Sequence, residues 1–352
     1  MIYFLTFAIL MASLLFALII VPQIRLFALR IDILDAPSHR KTHQNPTPHL
    51  GGIGIFISAF IPYLFLVLFD IVPVTKPLFG LLVGAVAILG IGLIDDVFGL
   101  KAVIKLIGQI AVATLSYGFG IQINTIMIPF LGTLPLGPLS FLVTVFWMVA
   151  MMNAINLIDG LDGLAGGISA IAAGLFSFIC FFTGSLPLSL LGAAILGACL
   201  GFLRYNFYQA TIFMGDSGSL FLGYVLSVIC ILGIIKTSLT FSWLIPILTL
   251  IIPIFDTALS IIRRIKNKQS IFKADNHHIH HQLIKAGLTP KQVVLSSYVI
   301  SCLFGAIGLV LGLLSQQMAI TLLIGVTLFL MSMFWVYKKK PAILMSCILF
   351  FL

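Results

Sequence analysis

The chain has 352 residues, 61% of them hydrophobic and 8% charged, whereas a soluble domain carries about 25% charged and about 45–50% apolar residues, so a soluble fold is excluded. All ten acidic residues are Asp, and against 19 Lys and Arg they leave a formal charge of +9. A mean hydropathy of +1.22 turns that basic balance away from nucleic acid and towards anionic lipid or phosphorylated substrates.

In chain order, the apolar stretches are 2–21, 50–69, 77–94, 103–117, 138–153, 163–183, 187–203, 217–235, 241–262, 293–313 and 318–336. They predict an all-α polytopic integral membrane protein of about 11 transmembrane helices, forming a single domain over 1–352. At about 20 residues per span no room is left for a large soluble domain. The first stretch has no basic n-region and no small-residue cleavage site, so it reads as a retained helix rather than a signal peptide. The stretch 103–117 is the weakest span, being short and carrying Gln109 and Ser116. After it, the alternation Ile121-Gln122-Ile123-Asn124 predicts a small β-hairpin. Cys180, Cys199, Cys230, Cys302 and Cys347 all fall in apolar stretches without C-x-x-C or metal spacing, and read as small core residues.

If successive loops alternate sides, those after odd-numbered spans hold seventeen Lys and Arg, and the others hold Lys76 and Lys236 alone. This bias puts the N-terminus outside and the odd loops in the cytoplasm. The same partition places every Asp except Asp70, and all seven His, on the cytoplasmic side. Ionisable groups near membrane depth mark function, so the active site is expected on the cytoplasmic face.

Five strings build that face. The first runs from Asp35 to Gly52, where Arg40, Lys41 and His39, His43 and His49 can meet an anionic headgroup and Gly51-Gly52 allow close backbone approach. Asp95-Asp96 follow, two carboxylates that repel unless a cation or proton relieves them, with Lys101 and Lys105 after them. Asn153-Ala-Ile-Asn-Leu-Ile-Asp-Gly-Leu-Asp-Gly repeats Asn156, Asp159 and Asp162 every three residues, which one helical face would align. Gly215-Asp216-Ser217-Gly218-Ser219 opens a span, offering free N–H groups to phosphate and Asp216 to a metal; helix capping by Asp216 or Ser217 is the plainer alternative. The fifth string, Arg263 to His281, carries four His in five residues; without Cys or Glu it suits phosphate contact or proton handling better than zinc. Carboxylates that hold Mg²⁺ beside cations that hold phosphate oxygens suit a diphosphate reaction.

At these strings the chain resembles the polyprenyl-phosphate N-acetylhexosamine-1-phosphate transferases. That family includes the bacterial enzymes that start O-antigen, enterobacterial common antigen and teichoic acid linkage units, and the phospho-MurNAc-pentapeptide translocase. The resemblance runs from about Asp35 to His281 through the five motifs in order, and it favours the UDP-GlcNAc branch of the bacterial cytoplasmic (inner) membrane. It implies attack by undecaprenyl phosphate on the sugar-linked phosphorus of a UDP-N-acetylhexosamine, releasing UMP, with Mg²⁺ as cofactor and Mn²⁺ as its substitute. Residue by residue it implies that Asp95 and Asp96 are an essential, metal-associated pair and Asp216 a Mg²⁺ ligand. Asn156 and Asp159, with Asp162 beside them, match the uridine or phosphate end, and Asn206, Phe213 and Gly215 match nucleotide-pocket positions. Arg263, Arg264 and His278-Ile-His280-His281 match a loop that grips the sugar nucleotide; Lys105 is a looser match, and the role of His277 is left open. A homodimer is one option for the oligomeric state.

A phosphate monoester is largely dianionic at neutral pH, so one-step attack needs no base; Asp95 as proton acceptor or as covalent nucleophile is the alternative. The main competing class is a secondary transporter with an Asp-lined ion pathway. An aspartyl protease would want Gly-x-Gly-Asp, but Phe213 replaces the first Gly, and a zinc protease would want a Glu, which is absent.

Overall fold

The computed structural model describes residues 2–35, 46–128, 132–235, 242–267, 279–314, 317–321 and 325. In chain order they form α1 (Ile2–Arg30), β1 (Leu34–Asp35), β2 (Thr47–Pro48), α2 (Gly51–Leu68), α3 (Lys76–Phe98), α4 (Ala102–Gly118), β3 (Thr125–Ile128) and β4 (Gly132–Pro135). Then come α5 (Leu139–Ile158), α6 (Leu164–Phe182), α7 (Leu186–Asn206), α8 (Gly215–Ile229) with a π-helical extension Cys230–Ile235, α9 (Leu244–Thr249), α10 (Ile251–Lys266), α11 (Ile279–Lys285) and α12 (Pro290–Leu313). Boundary chemistry is visible at several ends. Thr75 Oγ1 accepts from Leu78 N to start α3, Gly99 closes it at φ 66°, and a Thr289–Gln292 capping box opens α12.

The chain is a polytopic, predominantly helical membrane protein, and the described residues show eight of the eleven expected spans as full-length apolar helices. Among the described residues, eight helices are long and apolar enough to cross a membrane: α1, α2, α3, α5, α6, α7, α8 with its extension, and α12. The expected fourth span, α4, has only 17 residues. The expected ninth breaks at Leu250 into α9 and α10, with Pro246 and Pro253 on either side, each lacking the N–H that a continuous helix needs. The expected eleventh lies largely outside the described residues.

At the centre is α8, packed against α2, α3 and α5 and buried at every residue from Ser217 to Ile229. Between apolar helices in lipid there is little hydrophobic drive, so close packing of small residues takes its place. A Cβ at Gly52 would overlap the backbone of Gly218, and one at Gly92 the backbone of Ser217. Hydrogen bonds bring alternate helix ends together. Arg25 Nε of α1 donates to Thr211 O after α7 at 3.1 Å, and Gly51 N and Gly52 N donate to Phe213 O and Met214 O at 2.9 and 2.8 Å. One end of the bundle therefore gathers the odd-numbered loops, while β3 and β4 lie at the other, held by Trp243 Nε1 donating to Met127 O at 3.0 Å.

Two smaller expectations change. The hairpin exists but starts at Thr125, after the alternating string; Ile121 and Ile123 are buried there, and Ile123 N donates to Thr144 Oγ1 of α5 instead of to a strand. The alternation thus reports an extended strap anchored on a helix. Of the cysteines, Cys180, Cys199 and Cys230 are buried as expected, but Cys302 is exposed on the outer face of α12, and Cys347 lies outside the described residues.

Candidate active site

Asp95 and Asp96 are consecutive in α3, and successive helix positions point about 100° apart, so they serve different partners. Asp95 Oδ2 lies 2.9 Å from Lys105 Nζ of α4, and its Oδ1 accepts from Leu100 N at 2.7 Å. Asp96 instead accepts from Asp216 N at 2.6 Å and Ser217 N at 3.1 Å, the first N–H groups of α8. Met214, the residue in the N-cap position of α8, has no side-chain acceptor, so α3 supplies the cap from outside the helix. This corrects one sequence expectation: the start of α8 is not a free phosphate cradle, because its N–H groups already donate to Asp96.

Lys105, Asp216 and Asn156 close a triangle. Lys105 Nζ is 2.8 Å from Asp216 Oδ1 and donates to Asn156 Oδ1 at 3.3 Å. Asn156 Nδ2 donates to Asp216 Oδ1 in a short hydrogen bond and to Ser219 Oγ at 2.9 Å. The Asp95 and Lys105 side chains are 8% and 14% exposed and that of Asp216 is 30% exposed, so Asp216 is the member a ligand reaches most readily. His49, in sequence only a member of the basic loop, also reaches this site. Its Nε2 lies 2.8 Å from the Asp96 carbonyl oxygen, which can only accept, so Nε2 carries a proton. Gly215 sits at φ 75° against His49 O and the Asp96 carboxylate, with no space for a Cβ.

The other predicted residues divide: Asp159 stays within electrostatic reach of Asp216, Asp96 and Asp162, while the rest make loop contacts. Asn156, Asp159 and Asp162 do not share a helical face, because α5 ends at Ile158 and Gly163, at φ 79°, turns the chain into α6. Asp162 Oδ2 accepts from Ala210 N at 2.9 Å, while Asn206 accepts from Gly163 N at 3.0 Å and donates to Ile212 O at 2.9 Å. Both residues staple the α5–α6 turn to the α7–α8 loop. Phe213 joins strand to loop through its backbone, its N donating to Pro48 O at 2.7 Å. Arg263 Nη2 donates to Ser260 Oγ at 2.9 Å, and Arg263 and Arg264 both interact elsewhere as well. Lys41, His277 and His278 lie outside the described residues. His280 and His281 fall in the first turn of α11, and their side chains are outside what is described.

A sequence profile described as glycosyl transferase family 4 matches residues 78–234, which hold the whole Asp95–Lys105–Asn156–Asp216 constellation. A Bacillus subtilis (strain 168) protein named a probable undecaprenyl-phosphate N-acetylglucosaminyl 1-phosphate transferase is 39% identical over 300 residues, 85% of this chain and 83% of its own. The chain belongs to glycosyl transferase family 4. Other relatives of this family 4 chain include a Mycobacterium tuberculosis (strain H37Rv) decaprenyl-phosphate N-acetylglucosaminephosphotransferase, 33% identical over 78% of this chain and 74% of its own. An Escherichia coli (strain K12) undecaprenyl-phosphate alpha-N-acetylglucosaminyl 1-phosphate transferase is 27% identical over 81% of this chain and 78% of its own.

Electrostatics bear on what such a transferase site can hold. Among the described residues no three His, Cys or Asp side chains converge as a complete metal cage. Yet two carboxylates and one amide oxygen, from Asp95, Asp216 and Asn156, already surround a cationic ammonium. That donor set of hard oxygens fits Mg²⁺, which is commonly held by one or two carboxylates with substrate phosphates and water completing the shell.

Burial, and then the charges of Asp216, Asp96 and Asp162, push the Asp159 carboxyl well above its ordinary value of 3.8. The folded protein keeps this proton at pH values where the unfolded chain has lost it, so stability falls as pH rises from the ordinary value towards the raised one. Asp159→Asn, which mimics the neutral form, should raise the thermal midpoint of the ligand-free protein at pH 7.5 and leave it nearly unchanged at pH 4. An equal gain at both pH values would refute this electrostatic cause. Asp96→Ala, by uncapping α8, should cost about 1–2 kcal/mol of stability, read in denaturant titrations of detergent-solubilised protein; an unchanged titration would refute the capping role.

Proposed function

We propose that this chain transfers N-acetylglucosamine-1-phosphate from UDP-N-acetylglucosamine to undecaprenyl phosphate, giving undecaprenyl diphosphate-N-acetylglucosamine and UMP. The product would feed a bacterial cell-envelope polysaccharide such as O-antigen lipopolysaccharide or teichoic acid. The observation that carries the reading is Lys105 held between Asp95 and Asp216 and braced by Asn156. It is a preorganised, partly desolvated set of charges at one end of a membrane bundle, where a lipid phosphate and a water-soluble nucleotide can both arrive. The family membership favours this reading over a transporter.

In the proposed reaction a lipid phosphate oxygen attacks the sugar-linked phosphorus, the bond between that phosphorus and the bridging oxygen breaks, and UMP leaves. The nucleophile is already dianionic, so no side chain needs to remove a proton. Lys105 holds a phosphate oxygen as charge builds up. Asp95 aims the ammonium, Asn156 fixes the rotamer of Asp216, and Asp96 keeps the start of α8 in place. Mg²⁺, or Mn²⁺ in its stead, held by Asp216 with Asp95, would neutralise diphosphate charge.

The charge bias supports a cytoplasmic position for this end of the bundle and an N-terminus outside the bacterial inner membrane. Single cysteines introduced at Asn267 and Thr125 should accordingly be labelled from the inner and outer side respectively; labelling of both from outside would reverse the assignment. The reaction itself is tested with a panel of UDP-sugars, purified protein and undecaprenyl phosphate. UDP-N-acetylglucosamine should yield lipid-linked product and a chelator should abolish it. Turnover of another UDP-sugar in its place would overturn the donor.

A further inference from the structure

One turn below the charged triangle lies a second polar contact that the transfer chemistry does not use. Gln109 of α4 has 0% exposure. Asn153 of α5 donates from Nδ2 to Gln109 Oε1 at 2.6 Å and to Val149 O at 2.8 Å. The bond to Val149 fixes both amides: the nitrogen of Asn153 must face that carbonyl, so Gln109 must present its oxygen. Gln109 Nε2 is then left buried without a hydrogen-bond partner among the described residues. An unmet donor at such depth costs stability, and an apolar pair of similar shape would avoid that cost. Stability alone does not explain this pair.

Helix register does. Lys105 and Gln109 are four apart on α4, and Asn153 and Asn156 three apart on α5, so each couple shares a helix face. The antiparallel helices therefore meet at two rungs, Lys105–Asn156 at 3.3 Å and Asn153–Gln109 at 2.6 Å. Packing on α3 and the buried Ser116–Tyr224 hydrogen bond at 2.9 Å hold the far end of α4, and the two rungs set the rotation of the end that carries Lys105. α4 needs this restraint because Ile104, Ile107 and Ile110 are 52%, 61% and 40% exposed, and an apolar face against lipid gives a helix little rotational preference.

We propose that Gln109 and Asn153 are positioning residues, which lock the rotation of α4 against α5 and so hold Lys105 Nζ between Asp95 and Asp216. The inference rests on the transferase reading above, in which Lys105 must meet a phosphate oxygen. The test compares wild type, the double variant Gln109→Leu/Asn153→Leu, and the swapped pair Gln109→Asn/Asn153→Gln. Readouts are kcat, KM for both substrates and thermal midpoint. The leucine pair should keep or raise the thermal midpoint, lose about tenfold to a hundredfold in kcat and change each KM far less. The swapped pair, which retains one amide–amide bond, should recover most of the loss. Wild-type kcat in the leucine pair would overturn the proposal, as would a kcat that falls only in step with the midpoint and is not restored by the swap. A wild-type protein that forms no lipid product would overturn the transferase reading itself, and the positioning role with it.

Discussion

Asp216→Asn should leave the bundle folded and cut transfer by about a thousandfold. The substitution keeps the side chain's shape, so the packing of α8 is untouched, but it removes the charge that draws in Lys105 and replaces an acceptor with a donor in half of the amide's orientations. Asp216 is also the more open of the two carboxylates around Lys105, at 30% exposure against 8% for Asp95, so it is the one a divalent cation meets. Raising Mg²⁺ should restore part of the rate if the lost function is cation binding. Turnover near that of wild type at limiting Mg²⁺ would show that Asp216 is not a ligand.

Lys105→Met should cost about a hundredfold in kcat while tightening the apparent affinity for Mg²⁺. Methionine keeps the length of the apolar stem and removes the ammonium, leaving Asp95 and Asp216 to repel each other. A divalent cation relieves that repulsion, so it should bind more tightly, but no group then remains to take the phosphate oxygen. The two effects have opposite signs, which separates them from general damage. Full rescue of kcat by added Mg²⁺ would mean that Lys105 only neutralises the carboxylates and does not hold substrate.

The charged cluster was legible in the sequence because Asp95, Lys105, Asn156 and Asp216 sit in short, strongly polar strings within apolar surroundings, where each ionisable group is costly. The separate task of Asp96 was not, since adjacent letters give no hint that one carboxylate faces α4 and the other the start of α8. Asp162 and Asn206 carry a backbone role that residue type and spacing do not announce: Asp162 Oδ2 and Asn206 Oδ1 each accept from an N–H group of a loop. The span pattern misses the break at Leu250, because an average over apolar residues passes straight through it. His49 meets Asp96 at its backbone carbonyl, a contact across 47 residues that no sequence spacing announces.

Following the β-phosphorus is the most direct test of the assignment. Purified protein, UDP-N-acetylglucosamine labelled at that phosphorus, Mg²⁺ and undecaprenyl phosphate should give labelled lipid and UMP in equal amounts, with no UMP formed before lipid is added to delipidated protein and little of either in Asp216→Asn. Label retained in water-soluble products while UMP accumulates, or labelled lipid formed equally well by Asp216→Asn, would contradict it.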